Sequence, residues 1–163
     1  MLIVVFGLPG SGKSYFASRL AARLGAAYLS SDALRRELAH KPGYSSAEKA
    51  RVYEQLLAEA STYLRAERSV VLDATFHRAA RRQAVTELAT ATGAELRWIE
   101  IVAPEPTLRE RLAKARPDSD ADYAVYEKLK QEFEPLAEPH LRLTSTDHNL
   151  ADMLDKGLKH IET

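Results

Sequence analysis

Short apolar runs alternate along the chain with longer segments in which apolar residues recur every three to four positions. A continuous apolar run bounded by turn residues is typical of a buried strand, and the longer period is typical of an amphipathic helix. Strands that alternate with helices predict an α/β fold with a parallel sheet. The predicted strands are 1–6, 26–29, 69–72, 96–102 and 141–144, and the predicted helices are 15–24, 33–38, 47–66, 78–92, 107–115, 120–133 and 150–161.

A glycine-rich segment separates the first predicted strand from the first predicted helix. Residues 7–14 read Gly-Leu-Pro-Gly-Ser-Gly-Lys-Ser and match the pattern G-x-x-x-x-G-K-[S/T] at every fixed position. Glycine lets the backbone curl so that successive N–H groups wrap a polyphosphate, and the helix N-terminus adds partial positive charge. We expect Lys13 to reach the β- and γ-phosphates of ATP, and the Ser14 hydroxyl to bind Mg²⁺. The residues predicted to bind the nucleotide here are Gly7, Pro9, Gly10, Ser11, Gly12, Lys13 and Ser14.

Asp32 and Arg35 follow the second predicted strand, at the start of the next helix. They are one helical turn apart and share a helix face at the carboxyl end of a strand, where α/β sheets bind ligands. We expect Asp32 to accept a proton from a substrate hydroxyl, and Arg35 to hold an anionic part of that substrate. The alternative is that Asp32 only caps the helix and that Arg35 is a solvated surface residue.

A carboxylate also ends the third predicted strand. Asp73 follows the apolar residues 70–72, and we expect it to help hold Mg²⁺, usually through a water, on the strand beside the glycine loop. The alternative is an aspartate that merely starts the next turn. Thr75 and Arg78 come soon after and are predicted to face the same crevice and to contact the substrate.

Cations are concentrated at the start of the fourth predicted helix, where they oppose the helix dipole. These cations are Arg78, Arg81 and Arg82. An anionic substrate and a plain surface cluster account for them equally well. His77, directly before them, is interpreted as an exposed loop residue.

The segment 107–134 reads as two helices with a polar break between them, and it carries several arginines. In a small chain with a glycine loop, this arrangement indicates a lid. A lid arginine stabilises charge on the transferred phosphoryl group, and another can lie on the adenine. We predict the first role for Arg116 and the second for Arg109 or Arg111. The alternative is a solvated helix face whose cations pair with acids of the same helix.

Composition narrows the classes of function. The chain has 163 residues with 23 basic and 23 acidic side chains, so we expect one domain and no global field that attracts nucleic acid or membranes. A local basic groove is still compatible with this balance. The absence of cysteine excludes disulfides and thiolate chemistry. We find no signal-peptide pattern and no apolar run near the ~20 residues of a membrane span, so we expect a cytoplasmic protein.

The order of the motifs resembles that of small P-loop kinases. The motifs are G-x-x-G-x-G-K-S at 7–14, S-D-x-x-R at 31–35, V-V-L-D-A-T at 70–75, an arginine-bearing helix, and S-D-A-D at 119–122. Together they are similar to enzymes related to polynucleotide 5′-kinase, and to zeta-toxin-type and chloramphenicol-phosphotransferase-type enzymes. The chain also resembles kinase-like modules described generically as AAA-type ATP-binding domains. A ring-forming AAA ATPase is not expected, because the larger domain and second helical subdomain of those machines are missing.

The resemblance implies a separate role for each group of candidate residues. It implies that residues 7–14 bind ATP and Mg²⁺, that Asp32 is the general base, and that Arg35 contacts a phosphate of the acceptor. It also implies a metal-side acid at the position of Asp73. The spacing between Arg111 and Arg116 is one residue longer than the tightest family pattern.

We therefore predict a three-layer α/β sandwich of the P-loop NTPase type, with a five-stranded parallel sheet in the order 2-3-1-4-5 and a lid at about 107–134. The predicted catalytic residues are Asp32, Lys13 and Arg116. The predicted reaction is Mg²⁺-dependent transfer of the γ-phosphoryl group of ATP to an acceptor hydroxyl.

The leading acceptor is the 5′-hydroxyl of a nucleic acid end, and the alternative is a small hydroxylated metabolite or antibiotic. Two other classes remain open: an ATPase or switch without an acceptor, and a module that binds nucleotide without turnover. Asp32 and Arg35 argue against an ATPase without an acceptor, because a water molecule has no anionic group for Arg35 to hold. The intact Lys13, Ser14 and Asp73 argue against the second.

Overall fold

Five parallel strands form one sheet in the order β2-β3-β1-β4-β5, as predicted. The computed structural model describes residues 1–38, 45–115 and 119–163. The strands are β1 Leu2–Phe6, β2 Ala27–Ser30, β3 Val70–Ala74, β4 Leu96–Val102 and β5 Leu141–Thr144. The helices are α1 Lys13–Leu24, α2 Ser31–Leu38, α3 Ser46–Arg65, α4 Ala79–Thr92, α5 Glu105–Ala115, α6 Ser119–Glu132 and α7 Leu150–Glu162.

The central strand β1 shows why the sheet lies between two layers of helices. All its residues are fully buried, because a central parallel strand has helices over both faces and needs no polar side. Val4 and Phe6 pack into a core with apolar residues of α3 and α4. Ile3 and Val5 pack on the opposite face with α1 and α7. The predicted three-layer arrangement is thus confirmed.

Three helices, α1, α2 and α5, begin two residues earlier than predicted. Helix α5 starts at Glu105 because Pro106 fits the first turn, where its missing N–H has no intrahelical partner to lose. Helix α2 starts at Ser31, so Asp32 lies within the first turn and not at the cap. A carboxylate is favourable there because the N-terminus carries partial positive charge.

The chain leaves β3 through a tight turn that two buried side chains hold. Phe76 has a left-handed backbone with φ +45°. Its N–H donates to the Tyr53 hydroxyl at 3.2 Å, and its carbonyl accepts from the Arg82 guanidinium at 2.8 Å. Arg82 also donates to the carbonyls of Glu134 and Pro135, at 2.7 and 3.2 Å. One guanidinium therefore joins the β3–α4 turn to the segment that follows α6.

Arg82 fits neither of the two interpretations that its sequence position allowed. It is only 5% exposed, so it belongs neither to a surface cluster nor to a substrate-facing set.

Among the described residues, no helix combines the length and apolar character needed to cross a bilayer. The expected cytoplasmic location stays a prediction.

We expect Arg82→Met to lower the free energy of unfolding by about 3 kcal/mol, because one buried and two partly buried carbonyls lose their donor. The measurement is urea unfolding. Arg81→Met is the matched control: its guanidinium lies 4.9 Å from the Tyr53 ring centroid, and its loss should cost less than about 1 kcal/mol. Equal losses in the two variants would contradict a structural role for Arg82.

Candidate active site

The glycine loop between β1 and α1 is shaped by backbone approaches that leave no room for a side chain. Gly7 has φ +153°, and a Cβ there would lie 2.2 Å from the Ile101 carbonyl oxygen. Gly12 has φ +90°, and a Cβ there would lie 2.8 Å from the Ser145 hydroxyl. No described side chain caps α1, so the N–H groups of its first turn can donate to an anion. Pro9 lies within this loop, and Lys13 is the first residue of α1; both are half-buried.

Arg111 connects α5 to the glycine loop through hydrogen bonds. Its guanidinium donates to the carbonyls of Gly10 and Ser11, both at 3.2 Å. It also donates to the Ser145 hydroxyl at 3.2 Å and to the Asp147 carboxylate at 3.1 Å. The structure thus brings Arg111 to the nucleotide loop, whereas its predicted contact with the adenine stays a prediction.

Arg109 is not brought to the loop in the same way. Arg109 is exposed, pairs with Glu105 at 3.2 Å and lies 4.7 Å from the centroid of the Tyr123 ring. This is the pairing within one helix that the alternative interpretation described. Arg116 lies outside the described residues.

Ser14 and Asp73 form the predicted metal side of the site. Asp73 lies on β3 opposite Val5 of β1, and it is only 1% exposed. Its Oδ2 accepts from the Tyr28 hydroxyl at 2.7 Å, while its Oδ1 is buried without a partner among the described residues. Burial, and then the bond to Asp73, raise the pKa of Tyr28, while Ser14 and Ser30 act in the opposite direction. Tyr28 therefore contacts the acid of the predicted metal side.

These residues fit a magnesium ion that arrives with a nucleotide. Mg²⁺ takes oxygen ligands and is commonly held by one or two protein oxygens together with phosphates and water. Ser14 supplies a hydroxyl, and the buried Oδ1 of Asp73 supplies an acceptor. Within residues 1–38, 45–115 and 119–163, no group of three or more His, Cys, Asp or Glu side chains could hold a metal alone. A metal bound by Ser14 and Asp73 would therefore need phosphate or water oxygens as further ligands.

Asp32 and Arg35 form an ion pair on α2. The Arg35 guanidinium donates to Asp32 Oδ1 at 2.8 Å. The Asp32 side chain is 61% exposed, whereas that of Arg35 is 16% exposed. Ser30, next to the start of α2, is opposite Asp73 in the sheet register. The predicted acceptor pair therefore follows the strand beside Asp73, and its carboxylate is exposed.

The residues after β3 have partners within the protein. Arg78 pairs with Glu132 at 3.2 Å and with Glu134 at 3.9 Å. His77 lies 3.5 Å from Glu132, and burial lowers the pKa of His77. His77 is thus mostly buried, which corrects its interpretation as an exposed loop residue. Glu132 at the end of α6 and Glu134 just after it account for Arg78, so the predicted contacts of Arg78 and the half-buried Thr75 with substrate stay predictions.

A cavity of about 530 Å³ lies behind the glycine loop, between the end of β4 and α6. Leu8, Tyr126 and Phe133 line it, together with Glu100, which pairs with Arg142 at 3.3 Å. Asp32 and Arg35 lie outside this lining. The cavity is therefore separate from the predicted acceptor pair.

Sequence reasoning missed Tyr28, because an aromatic residue in a strand reads as packing. A signal was available once the strands were aligned: Ser30 lies opposite Asp73, and Tyr28 is two residues earlier on the same face. Arg82 was noticed only as a surface or substrate cation, since no local pattern reveals carbonyls 52 residues away.

A family model described as an AAA domain matches residues 2–136 of the chain. None of the curated proteins is similar enough to be matched to it. Among solved structures, the Mycobacterium tuberculosis APS kinase CysC in complex with AMPPNP and APS is 23% identical, with a TM-score of 0.76 over 99% of this chain and 97% of that chain. A gluconokinase from Sinorhizobium meliloti 1021 is 19% identical, with a TM-score of 0.71 over 98% and 90%. Kti12 from Chaetomium thermophilum in complex with ADP-AlF3 is 22% identical, with a TM-score of 0.73 over 99% of both chains.

At these identities the similarity shows the fold. The prediction of a P-loop NTPase-type α/β fold is confirmed. The finer resemblance to polynucleotide kinase, zeta-toxin and chloramphenicol phosphotransferase stays a prediction.

We expect Gly12→Ala to weaken nucleotide binding by at least about tenfold, because a Cβ would clash with the Ser145 hydroxyl and force the glycine loop to shift. Gly25→Ala is the matched control: Gly25 has φ +62°, and a Cβ there has nothing within 4 Å. Both variants should lose about 1–2 kcal/mol of unfolding free energy from the left-handed backbone. Calorimetric titration with ATP measures the difference. Nucleotide affinity within twofold of wild type in Gly12→Ala would contradict the cradle assignment.

Proposed function

The chain belongs to the AAA domain family, and from this premise we propose that it is a Mg²⁺-dependent phosphotransferase that moves the γ-phosphoryl group of ATP to a hydroxyl group. The observation that carries the proposal is the position of the Asp32–Arg35 pair. It follows β2 directly, and β2 lies beside the strand that carries Asp73. An enzyme that only hydrolysed ATP would need no such pair, because water has no anionic group to hold.

Each candidate residue then has a defined task. The loop N–H groups and Lys13 bind the β- and γ-phosphates, and Ser14 and Asp73 would hold Mg²⁺. When bound, Mg²⁺ neutralises charge on the phosphate oxygens. Asp32 orients the acceptor hydroxyl and accepts its proton as the new P–O bond forms, while ADP leaves. Arg35 holds the acceptor in place, so catalysis is mainly positioning and charge stabilisation.

We favour a small hydroxylated metabolite with an anionic group as the acceptor. Arg35 is a cation beside the reactive carboxylate, which suits one anionic group. The APS kinase and the gluconokinase with similar folds are consistent with a small acceptor. The 5′-hydroxyl of a nucleic acid end, the leading acceptor from sequence, is the second candidate.

The acceptor class is tested by incubating the protein with γ-labelled ATP and Mg²⁺. The panel contains 5′-hydroxyl oligonucleotides and hydroxylated metabolites, each metabolite offered with and without a phosphate, sulfate or carboxylate. We expect label on an anionic small acceptor. Label on oligonucleotides alone would instead support the 5′-hydroxyl of a nucleic acid end, the leading acceptor from sequence. Label only in inorganic phosphate would indicate an ATPase, and tight ATP binding without turnover would indicate a binding module.

With the acceptor in hand, Asp32→Asn should lower the rate of phosphoryl transfer by at least about 100-fold, because an amide cannot accept the proton. ATP affinity should stay within about twofold of wild type, since Asp32 lies on the acceptor side. Asp152→Asn is the matched control on α7, where Asp152 pairs with Lys156 at 2.7 Å, and it should not change the rate. A retained rate in Asp32→Asn would remove Asp32 from the mechanism.

A further inference from the structure

The Tyr28 hydroxyl lies against the buried acid of the metal side, although no motif includes it. It donates to Asp73 Oδ2 at 2.7 Å. That distance is typical of a charge-assisted bond to a carboxylate. The two residues are 45 positions apart in the chain and on neighbouring strands.

The sheet register explains how Tyr28 reaches this acid. Ser30 lies opposite Asp73, and Tyr28 lies opposite Val71. Val71 packs into the core on the α1 side of the sheet. Because side chains alternate between faces, Tyr28, Ser30 and Asp73 all point to that side, where α1 begins with Lys13 and Ser14. The long tyrosine side chain then spans the two-residue offset along the edge strand.

The bond decides which oxygen of Asp73 is left for a ligand. Asp73 is 1% exposed, so rotation of its carboxylate is limited by what it contacts. Tyr28 engages Oδ2, and Oδ1 is buried without a partner among the described residues. A buried carboxylate oxygen without a donor is costly unless a ligand satisfies it. The phenol thus fixes the carboxylate and leaves one oxygen to coordinate a metal ion or to accept a hydrogen bond from a metal-bound water.

We propose that Tyr28 is a positioning residue for the nucleotide-bound metal, acting through Asp73. The proposal rests on the proposed function, because the metal arrives with ATP. Partners in the shell around a ligating group typically tune metal affinity by 10- to 100-fold. Tyr28 would therefore set the affinity for the metal without touching the nucleotide.

The test is a Mn²⁺ titration of the protein saturated with AMPPNP, followed by electron paramagnetic resonance. We expect Tyr28→Phe to weaken Mn²⁺ binding by about tenfold. AMPPNP affinity in EDTA should stay within about twofold of wild type, which also shows that the cradle is folded. Tyr63→Phe is the matched control on α3, where Arg68 lies 4.9 Å from its ring centroid, and it should change neither affinity.

The same change in an Asp73→Asn variant separates a positioning role of Tyr28 from a packing role. In Asp73→Asn, the further change Tyr28→Phe should alter Mn²⁺ affinity by less than about twofold, because the phenol no longer has a metal-side acid to orient. An equal loss in both backgrounds overturns the proposal, and so does unchanged Mn²⁺ affinity in Tyr28→Phe alone. A loss of AMPPNP affinity in EDTA would indicate a structural role and also overturns it. If the wild type binds no AMPPNP, the proposed function fails first.

Discussion

The close approach of the glycine loop to the end of β4 is the constraint on which the rest of the site depends. An added Cβ at Gly7 would lie 2.2 Å from the Ile101 carbonyl oxygen, so the loop leaves β1 directly against its neighbouring strand. On its far side, Arg111 holds the carbonyls of Gly10 and Ser11. A loop supported on both sides by fixed groups needs little reorganisation to bind a polyphosphate. The loop is therefore held in shape where a nucleotide would need a preformed cradle.

The strand order places three chemical tasks side by side along one edge of the sheet. Strand β1 leads into the glycine loop, β3 carries Asp73, and β2 leads into the helix with Asp32. Because the strands are parallel, their carboxyl ends meet at this edge, where α/β proteins bind ligands. The insertion of β3 between β1 and β2 puts the acid of the metal side between the phosphate cradle and the acceptor pair. In the proposed reaction, this order is the order of donor, metal and acceptor.

Several arginines near the site form ion pairs or hydrogen bonds within the protein. Arg78 pairs with acids at the end of α6, and Arg82 donates to backbone carbonyls of the segment that follows it. At the other end of the lid segment, Arg111 holds the glycine loop. Guanidinium groups thus connect α5 to the glycine loop and the segment after α6 to the β3–α4 turn. An arginine-rich stretch in this chain indicates ion pairs and hydrogen bonds within the protein as much as a surface that binds polyanions.

The order of strands and helices, the glycine loop and the Asp32–Arg35 pair could be predicted from sequence, because each depends on a periodic pattern or on residues within one helical turn. Helix starts at Ser31 and Glu105 were missed by two residues, since first-turn residues carry no periodic signal. Tertiary structure alone decided the partners of Arg111, Arg82 and Tyr28, which lie 101, 52 and 45 residues away. A long polar side chain can satisfy its hydrogen bonds with many groups, and only the packed fold determines which of them lies within reach.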